Sequence, residues 1–324
     1  MSDTLYHYCS LNTFIKIIET KTLRLSEVEK SNDYMEMLWL KNKVIPRIIR
    51  QRFEKTFDES PVAFTLEGLT YRGVEGIIKM VEWFVDREHK DKMFESFSLA
   101  CCFSEYGDLL SQWRGYADNA QGLSIGIDKD KIEKVFKIPS ADEKDSLINF
   151  KKMIYLSEEE DFNVSQNESV VNLVYGFLKK LKNTNEDELH ALIVEFLFSV
   201  STLAPMYKNI AFSEENEWRA YICYPYPSGP NPDENLVKEF NQIFKQTYLE
   251  KSLFSELKSY VRNNKIIFYT EFNWENCGFV DFIKEIYIGS KCEADENDIK
   301  KLLASCNMRN IENINIIKSK CSYR

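Results

Sequence analysis

Residues 97–104 have the sequence FSLACCFS. It is a continuous apolar run of strand length, which is typical of a strand buried on both faces of a sheet. Strand-like runs also precede it, at residues 5–8 and 22–26, and another follows at residues 122–128. We therefore expect residues 97–104 to form a central strand.

Segments with helical spacing of apolar residues separate these strands. Ser10 is placed to cap the first helix, and Pro61 and Gly68 mark a break between two later ones. The pattern predicts an α+β fold with a mixed β core, in which residues 1–324 form a single domain with helical insertions at about 35–95 and 165–205. The helical segments are residues 14–18, 34–52, 73–89, 167–182, 186–203, 235–248 and 293–306, and the further strand-like segments are 218–224, 266–272, 283–289 and 311–318.

The composition is that of a soluble protein with a sizeable core. Hydrophobic residues make up 44% of the 324 residues, and 42 Lys and Arg against 51 Asp and Glu give a net charge of −9. This acidic balance disfavours a general nucleic-acid or membrane-surface binder. No secretory signal is visible, and the most apolar stretch, residues 191–204, is shorter than the roughly 20 residues that a bilayer needs. We expect a cytoplasmic protein with no membrane partner.

Metal-binding and familiar catalytic motifs are absent from the sequence. The eight cysteines form no Cys-x-x-Cys pair and there are only three histidines, so no metal site is predicted and most thiols are expected to be reduced core residues. There is no Walker-type phosphate loop, Gly-x-Gly-x-x-Gly, Gly-x-Ser-x-Gly or His-Glu-x-x-His. The usual ATPase, Rossmann, hydrolase and zincin assignments therefore lose their strongest support.

Four polar residues that interrupt or adjoin apolar runs are the first candidates for chemistry: His7, Ser104, Glu215 and Glu217. Glu215 and Glu217 are two residues apart, so in an extended segment both would face one cleft. Like charges at that separation would raise one pKa, which suits proton handling or stabilisation of an oxocarbenium ion. The structural alternatives stay open: a lone histidine is often a hydrogen-bonded structural residue, a serine often sits in a turn, and Glu-Glu-x-Glu is often a solvated turn.

Two further clusters have a functional and a structural interpretation. Arg114 beside Trp113 and Tyr116 offers an anion-binding fork near aromatic faces, or else packs in a helix with a nearby carboxylate such as Asp118. In the segment Asn32-Asp33-x-x-Glu36, the two carboxylates share a helical face, which suits a helix cap as well as a ligand pair.

In this order, these elements resemble an uncharacterised bacterial family, domain of unknown function 2971. The matching pieces are short, but together they span nearly the whole chain. They are Leu5-Tyr6-His7-Tyr8, Asn32-Asp33 with Glu36, Cys102-Phe103-Ser104-Glu105, Trp113-Arg114-Gly115-Tyr116-Ala117 with Gly122, Glu215-x-Glu217-x-Arg219, residues 283–289, and Ser322-Tyr323-Arg324.

The order of three elements is similar to the pattern of the ADP-ribosyltransferase-like superfamily. These elements are a strand that carries His7, a strand that ends in Phe103-Ser104, and Glu215-x-Glu217 leading into a third strand. The resemblance implies an ADP-ribosyltransferase-like core in which three strands meet around the nicotinamide end of NAD. It implies that His7 fixes the ribose or phosphate, Glu217 stabilises the oxocarbenium-like ribose and Glu215 helps to activate an acceptor. The residues expected to bind NAD are His7, Tyr8, Ser104, Trp113, Arg114, Tyr116 and Arg219.

The resemblance predicts an NAD-using transferase or NAD hydrolase, and families of this type imply a toxin or phage-defence effector. The sequence leaves two other classes open: a non-catalytic interaction or sensor protein, and a metal-dependent nuclease or phosphoesterase. The latter would use Asp33, Glu36, Asp118 and Glu217, although the net charge of −9 suits nucleic acid poorly. The acceptor and any neutralising or sensor partner are not specified by the sequence.

Overall fold

A computed structural model describes residues 3–30, 35, 37–57, 62–66, 68–85, 95–136, 148–157, 168–226, 238, 242, 253–279 and 281–321. The predicted ligand pair Asp33 and Glu36, with Asn32, lies outside the described residues. So do most of the predicted helix 235–248 and the tail residues 322–324.

The central strand of the main sheet is β5, Glu95–Ser104, which confirms the prediction for residues 97–104. β10, Glu217–Tyr226, pairs with one edge of β5 from Ser104 back to Glu95. β1, Thr4–Cys9, and β2, Thr22–Glu27, therefore share the other edge. β1 pairs there through Tyr6 opposite Ser104, and β2 through Ser26 opposite Ala100. The two strands diverge around Cys102.

The strands described by the structure form one ten-stranded sheet and two small ones. The order in the large sheet is β11-β12-β2-β5-β1-β6-β13-β14, with β10 and then β7 beyond the other edge of β5. Its pairings are antiparallel except that of β13 with β14, and the predicted strand 311–318 is confined to β14 because residues 311–313 form a 3-10 turn. The remaining strands are β3, Ala63–Leu66; β4, Leu69–Arg72; β6, Leu123–Asp128; β7, Ile148–Lys152; β8, Ile154–Leu156; β9, Tyr207–Asn209; β11, Lys258–Arg262; β12, Lys265–Asn273; β13, Ile283–Ile288; and β14, Asn315–Lys318.

Helices cover both faces of the sheet. On the first face, α1, α5 and α8 share one buried core with Leu99, Cys101 and Phe103 of β5. On the second face, a helical layer of α2, α3, α6 and α7 packs against Ala100 and Tyr221, while α4 packs separately on β1. These elements are α1, Leu11–Thr20; α2, Ile45–Phe57; α3, Gly73–Val85; α4, Leu110–Tyr116; α5, Lys129–Phe136; α6, Glu168–Leu181; α7, Glu186–Leu203; and α8, Glu296–Ser305.

The helical layer comes from the two segments predicted as insertions, and the hairpin of β3 and β4 occupies the break marked by Gly68. Ser10 caps α1 as expected, its side chain accepting a hydrogen bond from Thr13 N. The architecture is a mixed α+β fold with a mostly antiparallel central sheet. That residues 1–324 form a single domain stays a prediction.

The side chains of β5 are buried on both faces of the sheet, which explains its continuous apolar sequence. Cys102 is an exception. Leu99, Cys101 and Phe103 are buried on the first face, and Ala100 and Ser104 on the second. Cys102 also belongs to the second face, yet it is exposed. Among the described residues, the second face is therefore open at Cys102, between α4 and the helical layer.

None of the eight cysteines forms a disulfide. Within the described ranges, no helix has the length and hydrophobicity needed to cross a membrane.

Two glycines provide a matched test of the packing. A Cβ at Gly122 would collide with the backbone carbonyl of Cys9, whereas a Cβ on Gly176 within α6 would meet nothing within 4 Å. We expect Gly122→Ala to lower the free energy of unfolding by about 2–3 kcal/mol because the backbone must shift. Gly176→Ala should raise it by about 0.5–1 kcal/mol because alanine favours the helix. Urea unfolding measures both, and equal effects of the two changes would contradict the packing.

Candidate functional site

A buried cluster of four charged side chains lies where β10 begins. Arg219 donates through Nε to Glu217 Oε1 at 2.6 Å and through Nη2 to Glu217 Oε2 at 3.2 Å. Lys208 Nζ donates to Glu215 Oε2 at 2.6 Å and to Glu217 Oε2 at 3.1 Å. One ammonium thus joins both carboxylates, and the two cations of the cluster offset its two anions.

A tight turn, rather than an extended segment, brings Glu215 and Glu217 together. Glu215 ends a 3-10 helix, Ile210–Glu215, and Asn216 adopts the left-handed conformation with φ 42° before the strand starts. The segment is therefore not extended, which was the condition for both carboxylates to face one cleft by strand alternation. Both carboxylates still meet because Lys208, on β9, reaches between them.

Further hydrogen bonds hold this turn and the Arg219 side chain in place. Ser104 Oγ donates to the backbone carbonyl of Glu215 at 2.8 Å. The Tyr155 hydroxyl accepts from Glu217 N at 2.9 Å. Arg219 Nη1 also donates to the Pro205 carbonyl at 3.0 Å, so its guanidinium is committed to the protein interior.

The two carboxylates have opposite pKa shifts. Burial acts to raise the pKa of Glu217, but Arg219 and Lys208 outweigh it and lower the pKa to about 2. Burial raises the pKa of Glu215, and repulsion by Glu217 adds to this effect while Lys208 opposes it. The predicted rise of one pKa therefore falls on Glu215, although burial is its largest cause.

Three exposed aromatic residues lie on segments that contact the cluster, and we call Tyr106, Tyr116 and Phe212 the aromatic rim. The Tyr116 hydroxyl donates to Glu215 Oε1 at 3.2 Å, and Lys208 Nζ lies 4.7 Å from the centre of the Phe212 ring. Tyr106 N donates to Ser104 Oγ at 3.2 Å. The rim places apolar rings at the surface beside a partly accessible carboxylate.

Trp113 and Tyr8, two of the predicted NAD-binding residues, make hydrogen bonds to other parts of the protein. The Trp113 indole is buried, donates to Asp108 Oδ1 at 2.7 Å and packs edge-on against Tyr8 at 4.9 Å. The Tyr8 hydroxyl donates to the Tyr106 carbonyl and accepts from Leu109 N. Arg114, by contrast, is exposed on α4, the helix that also carries Tyr116.

The structure does not bring His7 onto the same face as Glu217. Tyr6 lies opposite Ser104, and Ser104 lies opposite Glu217, so these three side chains share the second face. His7 alternates with Tyr6 and lies on the first face, where its ring is 5.9 Å from that of Phe103.

His7 instead fills the space where β1 and β2 diverge. Its Nδ1 lies 3.0 Å from the Cys102 carbonyl, and because a carbonyl only accepts, Nδ1 must donate. Burial lowers the pKa of His7, and the bond to Cys102 only partly opposes this. The side chain thus donates a hydrogen bond to the backbone of β5.

No group of three or more His, Cys, Asp or Glu side chains that could hold a metal occurs in the described part of the chain. Both oxygens of Glu217, which the nuclease alternative would use as a ligand, accept bonds from Arg219 and Lys208.

Sequence reasoning missed Lys208 and Tyr155. Tyr155 carries no distinguishing sequence signal. Lys208 does carry one, because it is the only charged residue between Glu195 and Glu214. A single cation in such an apolar stretch is expected to be paired if it is buried.

Residues 112–220 match the family model described as Protein of unknown function (DUF2971). The expected resemblance over nearly the whole chain is therefore supported only for this segment. The DUF2971 segment includes Trp113, Tyr116 and the Glu215-x-Glu217-x-Arg219 box, while His7 and Ser104 lie outside it. No curated protein and no solved structure matches the chain.

Acid should remove the stability that the ionised Glu217 provides. Its pKa of about 2 lies below the ordinary value of 4.5, so this contribution is complete above pH 4.5 and is lost as the pH falls towards 2. This contribution to the free energy of unfolding is on the order of 3 kcal/mol. Glu217→Gln should therefore be less stable than the wild type near neutrality, and the difference in the free energy of unfolding should narrow between about pH 4.5 and pH 2 in urea unfolding. Glu214→Gln, on the exposed part of the same turn, is the control, and a gap between Glu217→Gln and wild type that stays constant over this range would contradict the assignment.

The role of His7 is tested by two substitutions. His7→Phe keeps a ring but removes the Nδ1 donor of the bond to the Cys102 carbonyl, so we expect the free energy of unfolding to fall by about 1–3 kcal/mol. His7→Asn places an amide near the Nδ1 position and should recover part of that loss. Because burial lowers the pKa of His7 below 6.5, wild-type stability should also decline as the pH falls below 6.5, and neither variant should show this component. Equal stability of Phe and Asn variants would argue against the bond.

Proposed function

We propose that the protein is an NAD-using ADP-ribosyltransferase-like enzyme, either a transferase or an NAD hydrolase. The observation that supports it best is Glu215, a carboxylate with a raised pKa that accepts a hydrogen bond from Tyr116 of the aromatic rim. The adjacency of β1, β5 and β10 supports it as well, because the resemblance requires three strands to meet at the site.

The geometry favours Glu215 over Glu217 as the carboxylate that contacts substrate. Both oxygens of Glu217 are held by cations, and the side chain is only 6% exposed. Glu215 is 13% exposed, and its Oε1 has only the longer contact with Tyr116. In this proposal Glu215 is the catalytic residue, and Glu217 is a positioning residue that fixes Lys208.

The reaction requires stabilisation of positive charge. The bond between the nicotinamide nitrogen and the ribose breaks, and its electron pair leaves with neutral nicotinamide. The ribose becomes an oxocarbenium-like cation, which a fixed carboxylate stabilises without a metal. Water or another acceptor then forms a bond to the ribose carbon and gives its proton to Glu215. The raised pKa of Glu215 suits that proton transfer.

Neighbouring residues suit the other parts of NAD. The aromatic rim offers faces on which the nicotinamide or adenine ring can stack. The exposed Arg114 on α4 suits the pyrophosphate, since guanidinium binds phosphate oxygens in pairs. His7 takes no part in NAD binding in this proposal, because its side chain lies on the other face of the sheet.

Release of nicotinamide tests the proposal. Purified wild-type protein is incubated with NAD, and free nicotinamide is followed by mass spectrometry. We expect Glu215→Gln to lower kcat by at least about 100-fold, because it removes the charge and the proton acceptor while keeping the shape. Glu214→Gln, which removes a charge one residue away, should behave as wild type. A wild-type protein that neither releases nicotinamide nor binds NAD in calorimetry would contradict the proposal.

A role in partner binding is the second candidate, and the exposed apolar surface favours it. Leu110, at the start of α4, and Ile210, at the start of the 3-10 helix, are further exposed apolar residues on the elements that carry Tyr116 and Phe212. Exposed apolar surface is a common feature of protein interaction sites. As a toxin or phage-defence effector, the enzyme should slow bacterial growth when overexpressed, and Glu215→Gln should relieve the effect. Harm that persists in the Glu215→Gln variant favours the binding role.

A further inference from the structure

Gln112, in α4, is a buried polar residue that takes no part in the carboxylate cluster. The residue is only 7% exposed. Its side-chain amide makes no hydrogen bond within the described part of the chain. A glutamine amide offers two N–H donors and an acceptor oxygen, and a buried polar group without a partner is costly. The amide of Gln112 therefore has unused capacity for hydrogen bonds.

The amide of Gln112 is also in contact with solvent. In the described ranges, side-chain nitrogen or oxygen atoms that lack both a hydrogen-bond partner and solvent contact occur in four residues, Trp39, Ser111, Ser124 and Ser290. Gln112 is not one of them, so a molecule in solution can reach its amide.

Gln112 lies on the side of α4 that faces the carboxylate cluster. Residues four apart share one face of a helix, so Gln112 lies about one turn before Tyr116 on the same face. The Tyr116 hydroxyl donates to Glu215 Oε1 at 3.2 Å. Trp113, by contrast, packs on Tyr8 of β1. The burial of Gln112 on the Tyr116 face thus places its amide in the wall of the cleft that contains Glu215.

The surroundings of this amide suit an uncharged planar group. The two cations of the carboxylate cluster offset its two anions, so the cluster has no net charge. The aromatic rim offers ring faces for stacking. On the second face of β5, Cys102 is exposed at the opening beside α4, directly opposite Arg219 of β10.

We propose that Gln112 is a specificity-determining residue that binds a planar edge with an N–H donor beside an acceptor, on a ring stacked against the aromatic rim. The Gln112 oxygen accepts from the N–H group, and the Gln112 nitrogen donates to the neighbouring acceptor. Glutamine pairs in this way with the N6 and N7 atoms of adenine. NAD has such an edge at both ends, in the carboxamide of nicotinamide and in adenine, so this inference rests on the proposed function for its ligand.

Matched fragments of NAD test the binding and identify the end of NAD that binds. In ¹⁵N-labelled full-length protein, the side-chain amide resonances of Gln112 are identified as the pair missing from Gln112→Leu. If nicotinamide is the ligand, they should move with nicotinamide but not with its methyl ketone analogue, which keeps the acceptor and lacks the N–H donor. If adenine is the ligand, they should move with adenosine monophosphate but not with inosine monophosphate, in which an oxygen replaces the amino group.

Two substitutions control for effects on the fold. Gln112→Leu should weaken binding of the preferred fragment at least about tenfold, as expected for loss of a two-bond amide contact. Its Tm should not fall, because leucine removes a buried polar group that has no partner among the described residues. Gln51→Leu changes an exposed glutamine of α2 and should bind as the wild type does.

Gln112 resonances that stay fixed with nicotinamide and with adenosine monophosphate at millimolar concentration would overturn the inference. So would equal binding of each fragment and its analogue, or a Gln112→Leu variant that binds as the wild type does. The outcome is separable from NAD cleavage. A protein that cleaves NAD while Gln112 does not respond contradicts only this inference, and a response at Gln112 without release of nicotinamide from NAD contradicts only the proposed enzyme.

Discussion

β5 has only two edges for hydrogen bonding, and β10 occupies one of them along all ten residues. β1 and β2 must share the other edge, where β1 pairs at Ser104 and β2 pairs at Ala100 and Leu99. Between these two pairings, the His7 side chain donates to the Cys102 carbonyl. The same arrangement aligns Tyr6, Ser104 and Glu217 across three strands, so the start of β10 lies beside α4.

Two carboxylates buried side by side at that point need positive charge nearby. Arg219 and Lys208 supply it, but they divide it unequally. Glu217 receives both cations and stays ionised, whereas Glu215 shares only Lys208 and lies nearer to solvent. Environments that separate the pKa values of two neighbouring carboxylates are typical of a division of roles between them. One carboxylate maintains the charge arrangement, and the other is able to exchange a proton.

The sequence predicts those parts of the fold that depend on local pattern. The apolar run at residues 97–104 is β5, and Ser10 caps α1, because both depend on neighbouring residues. The turn at Asn216 escapes prediction, since its left-handed conformation is stabilised by a hydrogen bond from Ser104, far away in the chain. The face taken by His7 also depends on strand pairing, which the pattern Tyr6-His7-Tyr8 does not specify. Lys208 carries only the weak signal of a single charge in an apolar stretch.

The position of the aromatic rim depends on the charged cluster of Glu215, Glu217, Lys208 and Arg219. The short helices that carry Tyr116 and Phe212 are not expected to be stable without contacts to the rest of the protein. α4 has only seven residues and no side-chain cap, and helices of this length are marginal without tertiary contacts. Asp108 holds α4 from one side by accepting bonds from Trp113 Nε1 and from Lys320 N near the end of the chain. On the other side, Tyr116 of α4 donates to Glu215, whose carboxylate is fixed by Lys208. The position of the rim and the charge state of Glu215 are therefore coupled, so a ligand that changes the protonation of Glu215 would also act on the helix that carries Tyr116 and Arg114.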